Sequence, residues 1–351
     1  MKVDLASLLR PHLLTLKPYT SARDEYSGSE GVFLDANENP FGSITQADYN
    51  RYPDPYQSAL KSEIAQIKGC APTQIFLGNG SDEAIDLLFR AFCNPGKDNV
   101  ILLPPTYGMY GVSASINNVE IRNVALTPDF QLQPEKILAA ADAQSKILFI
   151  CSPNNPSGNA VKREDIHYLL ENFPGIVVVD EAYIDFSSEP SLIHELDQYP
   201  NLLVMQTFSK AWGLASLRLG MAFASPELIA ILNQIKPPYN ISGLTQETVL
   251  AALPNKGKVD ELIQKIKEER TFLKQELEKL PDVLKIHPSD ANFLLVQVPD
   301  ANRFYDGLIE EKVIVRNRST VLHCEGCLRI TVGTRDETLA LLQAFKKIAT
   351  N

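Results

Sequence analysis

The chain has 351 residues, enough for two domains of ordinary size, and its 44% hydrophobic and 22% charged content excludes large-scale disorder. Lys and Arg total 33 against 43 Asp and Glu, a formal net charge of −10 that argues against a nucleic-acid-binding surface. Apolar runs are strand-length and too short to cross a bilayer, the start MKVDLASLLRPHLL does not read as a signal peptide, and five cysteines suit a reducing cytoplasm better than a disulfide framework.

In chain order, the first 34 residues contain Pro11 and Pro18 and are expected to form an arm that joins the smaller domain. Short β-branched runs at 75–77, 100–103, 146–151, 176–180, 202–206 and 219–224 then predict buried strands, because their apolar character is nearly continuous rather than alternating. Between them, 82–92, 106–116, 134–143 and 163–171 have helical spacing. Such alternation predicts a mostly parallel sheet with helices on both faces, occupying 35–243. From about 244 the texture changes. Residues 258–280 predict a long amphipathic helix whose Lys and Glu face is solvated, followed by strands at 292–298, 313–316 and 327–332 and a helix at 337–348. This is expected to be a smaller α+β domain.

Ligands of an open parallel sheet collect at the carboxyl ends of its strands, so the residues just beyond each strand are the economical place to look. After 75–77 comes GNGSDE, in which Gly80 permits a tight turn and Ser81 and Asp82 open a helix whose free amides suit a phosphate. A well-capped helix alone would also explain it. Tyr107 comes after the 100–103 strand in PPTYGMY and is a candidate stacking ring. After 146–151 comes SPNNPSG, where Asn155 stands between prolines. The 176–180 strand ends in Asp180, a carboxylate that is costly there unless something pairs with it, with Tyr183 close behind. The 202–206 strand runs into TFSKAWGLASLRLG. Lys210 there is a lone amine among apolar neighbours, beside the one Trp, and Thr207, Ser209 and Arg218 offer phosphate partners. A phosphate cradle, a ring-nitrogen partner and an amine nucleophile together match the needs of pyridoxal phosphate.

On these motifs, with KPYTSAR (17–23), LDANENPFG (34–42), RYPDP (51–55), VVDEAYIDF (178–186), VRNR (315–318) and CLRITVGTR (327–335), the chain resembles the fold-type I pyridoxal-phosphate enzymes and, within them, the histidinol-phosphate aminotransferases. The resemblance implies an α/β fold with a large cofactor domain and a smaller α+β domain. It implies Lys210 as the catalytic lysine, Asp180 at the ring nitrogen, Asn155 and Tyr183 at the ring oxygen, and Tyr107 on the ring. Gly80, Ser81, Asp82, Thr207, Ser209 and Arg218 would take the cofactor phosphate, with Tyr52 of the neighbouring subunit in a homodimer. Arg329 would take the carboxylate of glutamate and the phosphate of histidinol phosphate in alternate half-reactions. Arg316 and Tyr19 would assist, and Asn37 and Asn240 would lie close by. Ser157 stands where many relatives carry Thr. An aromatic amino acid aminotransferase and a phosphothreonine-type decarboxylase of the same fold are the alternatives. A pyridoxal-phosphate-sensing regulator would need a DNA-binding segment that this composition does not offer. His323, Cys324 and Cys327 lack a second ligand pair, so a turn with Gly326 at the bend is expected there rather than a metal.

Overall fold

The computed structural model describes residues 4–19, 30–45 and 47–350. Residues 1–3 and 20–29 of the expected arm, with the 20–23 end of its KPYTSAR motif, lie outside the described residues. Among the described residues, β1 (Ile75–Asn79), β2 (Asn99–Leu102), β3 (Glu120–Asn123), β4 (Ser145–Cys151), β5 (Ile176–Asp180), β6 (Leu202–Thr207) and β7 (Leu219–Ala224) form one sheet of order β1-β7-β6-β5-β4-β2-β3. Neighbours pair in parallel except around β7, which runs antiparallel to both β1 and β6. A second, antiparallel sheet of order β10-β11-β9-β8 holds β8 (Lys285–Ile286), β9 (Phe293–Gln297), β10 (Arg316–Asn317) and β11 (Cys327–Thr331).

The helices are α1 (Leu5–Leu8), α2 (Ser58–Lys68), α3 (Ser81–Phe92), α4 (Met109–Ile116), α5 (Pro134–Ala140), α6 (Arg163–Asn172), α7 (Pro226–Ile235), α8 (Gly243–Ala252), α9 (Lys256–Leu277), α10 (Ala301–Glu310) and α11 (Arg335–Thr350). Successive strand residues serve opposite faces of the large sheet. Leu148, Val177, Val179 and Val204 pack with α2 and α6 on one face, while Ile147, Phe149, Val178 and Met205 pack with α3, α4 and α7 on the other. The continuous apolar runs therefore mean what the sequence predicts, a sheet covered on both sides.

Four elements differ from the expectation. The predicted 106–116 helix begins only at Met109, after Gly108. The predicted 313–316 strand shrinks to Arg316–Asn317. β3 went unpredicted because it is the polar edge strand EIRN, paired on one side alone. The arm also packs elsewhere. Leu5, Leu8, Leu9 and Leu13 join the core beneath α3 and α7, the Arg10 amide donates to the Ala91 carbonyl at 2.9 Å, and Gln234 donates to the Leu16 carbonyl at 2.8 Å. These residues sit on the large sheet's layer, not on the small domain, because four leucines in nine residues find their apolar partners there.

Candidate active site

The carboxyl ends of β1, β2, β4, β5 and β6 share one edge of the sheet. Because β7 is antiparallel, its first residues reach that same edge, where Leu219 pairs with Asn79 and Gly220 with Thr207. Arg218, immediately before β7 and at φ +53°, is thereby delivered to the end of β1. Gly80 donates its amide to the Arg218 carbonyl at 2.7 Å and holds φ +75° at the N-cap of α3. A side chain at Gly80 would meet the Arg218 guanidinium at 2.9 Å, so the glycine is required twice over. The free amides of the first turn of α3 and an open guanidinium thus face one anion-sized space. Asn240 supports this turn from behind, donating to the Leu77 carbonyl at 2.9 Å and to Glu83 at 3.2 Å, and does not line the space itself.

The space is a cavity of about 160 Å³ whose lining brings Gly80, Ser81, Asp82, Tyr107, Asn155, Asp180, Tyr183, Thr207, Ser209, Lys210 and Arg218 together. Asp180 lies at its floor, 3% exposed. It accepts from the Tyr110 hydroxyl at 2.6 Å and from the Ala182 amide at 3.0 Å. Burial pushes its carboxyl up, and the two donors pull it back towards the charged form. Tyr110 is fully buried and stacks on Phe149 at 4.7 Å. The sequence reasoning missed it, although it stands three residues after Tyr107 in the same motif. Tyr107 meets Tyr110 edge-on at 5.5 Å and donates to Asp82 at 3.2 Å, leaving its face to the cavity.

Lys210 stands 5.8 Å above the Tyr183 ring. Desolvation of the amine inside the cavity lowers it, Arg329 adds to the effect, and Asp180 opposes it. Asn155 donates to the Tyr183 hydroxyl at 3.4 Å and accepts from Arg329 Nη1 at 2.5 Å. Tyr183 packs edge-on to Phe293 of β9 at 5.2 Å, and the Arg329 guanidinium lies over that same ring at 5.2 Å. The small sheet thus closes one wall of the site.

Among the described residues neither Asp180 nor Arg218 makes an ion pair, and Lys210 acts on the Asp180 carboxyl only from a distance. A flat ligand with a protonated ring nitrogen at one end and a phosphate at the other satisfies both, with Tyr107 over its face. The donor set therefore fits pyridoxal phosphate.

Other expected residues lie apart from this cavity. Tyr52, 52% exposed and stacked on Tyr239 at 4.5 Å, lines with Asn37 a separate open cavity of about 830 Å³. Tyr19 is 76% exposed. Arg316 is exposed but stands opposite Arg329 across the β10–β11 ladder. Arg318, a second residue missed, lies one position beyond β10 and close enough to Arg329 to lower its guanidinium. Its signal was the second arginine of VRNR. Cys324 and Cys327 are free, buried thiols, the first on the turn before β11 and the second opening that strand, and Gly326 bends the turn at φ +71°. No group of three or more metal-ligating side chains occurs among the described residues.

A family model described as aminotransferase class I and II matches residues 30–345. A histidinol-phosphate aminotransferase of Cytophaga hutchinsonii is 55% identical over 346 residues, covering 99% of each chain. The crystal structure of the histidinol-phosphate aminotransferase of Clostridium acetobutylicum superposes with a TM-score of 0.80 at 23% identity, over 86% of this chain and 92% of that one. That of Sinorhizobium meliloti, in complex with pyridoxal 5′-phosphate, superposes at 0.79 with 24% identity, over 90% of each.

Proposed function

The chain belongs to the class I and II aminotransferases, and on that premise we propose that it moves an amino group between L-histidinol phosphate and 2-oxoglutarate, a reaction of histidine biosynthesis. Its cofactor is pyridoxal phosphate. When bound, that group supplies an aldehyde that exchanges amines and a ring that delocalises the electron pair left at the substrate carbon.

The chain's own residues then divide the work. Lys210 Nζ would link the cofactor and, once released from it, take and return the proton at the substrate's amino-bearing carbon, a task suited to an amine lowered by its surroundings. Asp180 keeps the proton on the ring nitrogen, and Tyr110 and the Ala182 amide hold Asp180 in place. Asn155 and Tyr183 orient the ring oxygen, and Tyr107 covers the ring. Gly80, Ser81, Asp82, Thr207, Ser209 and Arg218 hold the phosphate. Arg329, fixed by Asn155, takes the anionic end of either substrate, with Arg316 and Tyr19 assisting, while Asn37 would come with Tyr52 from the neighbouring subunit's surface.

The observation that carries the substrate reading is Arg329: a half-buried guanidinium at the cavity rim, held by an amide, with no carboxylate paired to it among the described residues. Such a group accepts a carboxylate in one half-reaction and a phosphate in the other.

The same reading makes the protein a cytoplasmic homodimer, with Tyr52 reaching the partner's cofactor phosphate. The exposed apolar side chains of Val32, Leu34, Phe41 and Ile44, in the segment leading to Tyr52, support a surface covered by a second copy. The division into a large domain at 35–243 and a small domain at 244–351 is part of the proposal. No helix among the described residues is long and apolar enough to cross a membrane.

The test compares initial rates with L-histidinol phosphate, phenylalanine, tyrosine and phosphothreonine. L-Histidinol phosphate should be the preferred donor to 2-oxoglutarate. Faster transfer from the aromatic acids, or release of carbon dioxide from phosphothreonine, would replace this reading with one of the alternatives.

A further inference from the structure

The small sheet gathers more positive charge around Arg329 than one carboxylate can use. Arg316 stands directly opposite Arg329 across the β10–β11 ladder. Arg318 comes one position beyond β10, its amide donating to the Cys327 carbonyl at 2.9 Å and its guanidinium near enough to both other arginines to act on them. After burial, Arg318 is the largest influence lowering the Arg329 guanidinium, and Arg316 lowers Arg318 in turn. The groups facing Arg318 are Arg316 and the Cys324 thiol, with the Tyr183 phenol beyond. No carboxylate among the described residues pairs with any of the three arginines. Nη1 of Arg329 is held by Asn155, while the Nε atoms of both Arg318 and Arg329 are buried without a hydrogen-bond partner. Packing like charges together and leaving their donors unpaired is unfavourable unless an anion completes the cluster.

The charge count decides which anion. Arg316 and Arg329 already outweigh a carboxylate, whose single charge needs one fork of donors. A third guanidinium beside them matches a phosphomonoester, which is a dianion with three acceptor oxygens above its second pKa of about 6. We propose that Arg318 is a third arm of the substrate anion site and sets its preference for the dianionic phosphomonoester over the carboxylate of the second substrate. The proposal rests on the reading that both substrates place their anionic ends at Arg329, and it gives Arg318 the task of separating them.

The test monitors each half-reaction of the holoenzyme separately, by the change in cofactor absorbance, for wild type, Arg318→Gln and Arg318→Lys. Arg318→Gln should raise the half-saturation concentration for L-histidinol phosphate about tenfold more than that for glutamate. Arg318→Lys should keep most of the preference, because the charge survives while the fork is lost. In wild type the affinity for the phosphate substrate should climb between pH 5.5 and 7.5 as the second proton leaves, and Arg318→Gln should flatten that climb. Equal losses in both half-reactions, or no loss in either, overturn the proposal, as does an unchanged pH profile in Arg318→Gln. Inorganic phosphate competing against glutamate supplies an arm that does not need L-histidinol phosphate at all. Its inhibition constant should rise about tenfold in Arg318→Gln, and no rise overturns the proposal. If wild type fails to use L-histidinol phosphate, the functional reading falls, and this phosphate arm alone then decides the role of Arg318.

Discussion

Tyr110→Phe isolates the hydrogen bond beneath the cofactor ring. The substitution removes one oxygen and keeps the ring that stacks on Phe149, so it opens almost no cavity. What it takes away is a 2.6 Å donor to a carboxylate that is 3% exposed, leaving Asp180 the Ala182 amide alone. A hydrogen bond to a charged group contributes about 1.5–3 kcal/mol, against about 0.5–1.5 kcal/mol for a neutral pair. Burial has already raised Asp180 above its unfolded value. A carboxyl with a raised folded pKa contributes stability that is fully present below the unfolded pKa, about 3.9, and is lost as pH climbs through the folded value. Without Tyr110 the folded pKa rises further, because the lost bond is stronger to the carboxylate than to the neutral acid.

The cofactor-free variant should therefore be only slightly less stable than wild type near pH 4, and the gap should widen to about 1.5–3 kcal/mol once Asp180 ionises in the wild-type fold. Urea unfolding between pH 4 and 8 measures the gap directly, and circular dichroism confirms that the variant folds. The holoenzyme should turn over about 10–100-fold more slowly, the same free energy expressed at the ring nitrogen. A gap that stays constant with pH, or that narrows, would refute the argument that Tyr110 acts on the charge of Asp180.

Three further outcomes test other parts of the site. Lys210→Ala should abolish the adduct that borohydride traps between cofactor and protein; an adduct surviving on another lysine removes Lys210 from its role. A Cβ at Gly220 would collide with the Ser81 amide nitrogen and the Gly80 carbonyl carbon, backbone atoms with no rotamer to give way. Gly220→Ala should therefore cost about 1–3 kcal/mol in thermal unfolding and weaken cofactor binding at least tenfold, and wild-type values for both would show that β7 does not press on the phosphate cradle. Equal mixing of inactive Tyr52→Ala and Lys210→Ala proteins should restore roughly a quarter of wild-type activity, since half the dimers are mixed and each holds one intact site of two. Verified heterodimers without activity would place Tyr52 outside the partner's site.

Much of the large domain was legible along the chain. Runs such as IVVV before Asp180 and LLVM before Thr207 are apolar at every position because both faces of β5 and β6 are covered, and that signal is local. β3 escaped because an edge strand with charged residues carries no such run. α2, α7, α8 and α10 also went unread. The mixed polarity of α2 and α10 resembles loop composition until a partner surface selects their apolar faces. The candidate cavity was legible where its residues come directly after strands, as Asp180 and Lys210 do. It was not legible where a residue acts through a distant neighbour, as Tyr110 acts on Asp180 from 70 positions away.

The sequence by itself determined the chemistry on offer: a lysine among apolar neighbours, a carboxylate closing an apolar strand, glycines before a helix, and arginines near the carboxyl end. These are choices of residue type, and their cost in isolation already asks for a ligand. Tertiary structure decided which of them meet. The antiparallel run of β7 turns Arg218 back to the end of β1, where a parallel strand would have carried it to the opposite edge. The β10–β11 pairing sets three arginines against a chain whose net charge is −10, so anion binding depends on a local field that composition cannot report. The leucines of the arm were readable as apolar, but α3 and α7 offered the surface that buried them. Contacts between residues far apart in sequence depend on strand direction and helix packing, and those are settled only when the whole chain has closed on its core.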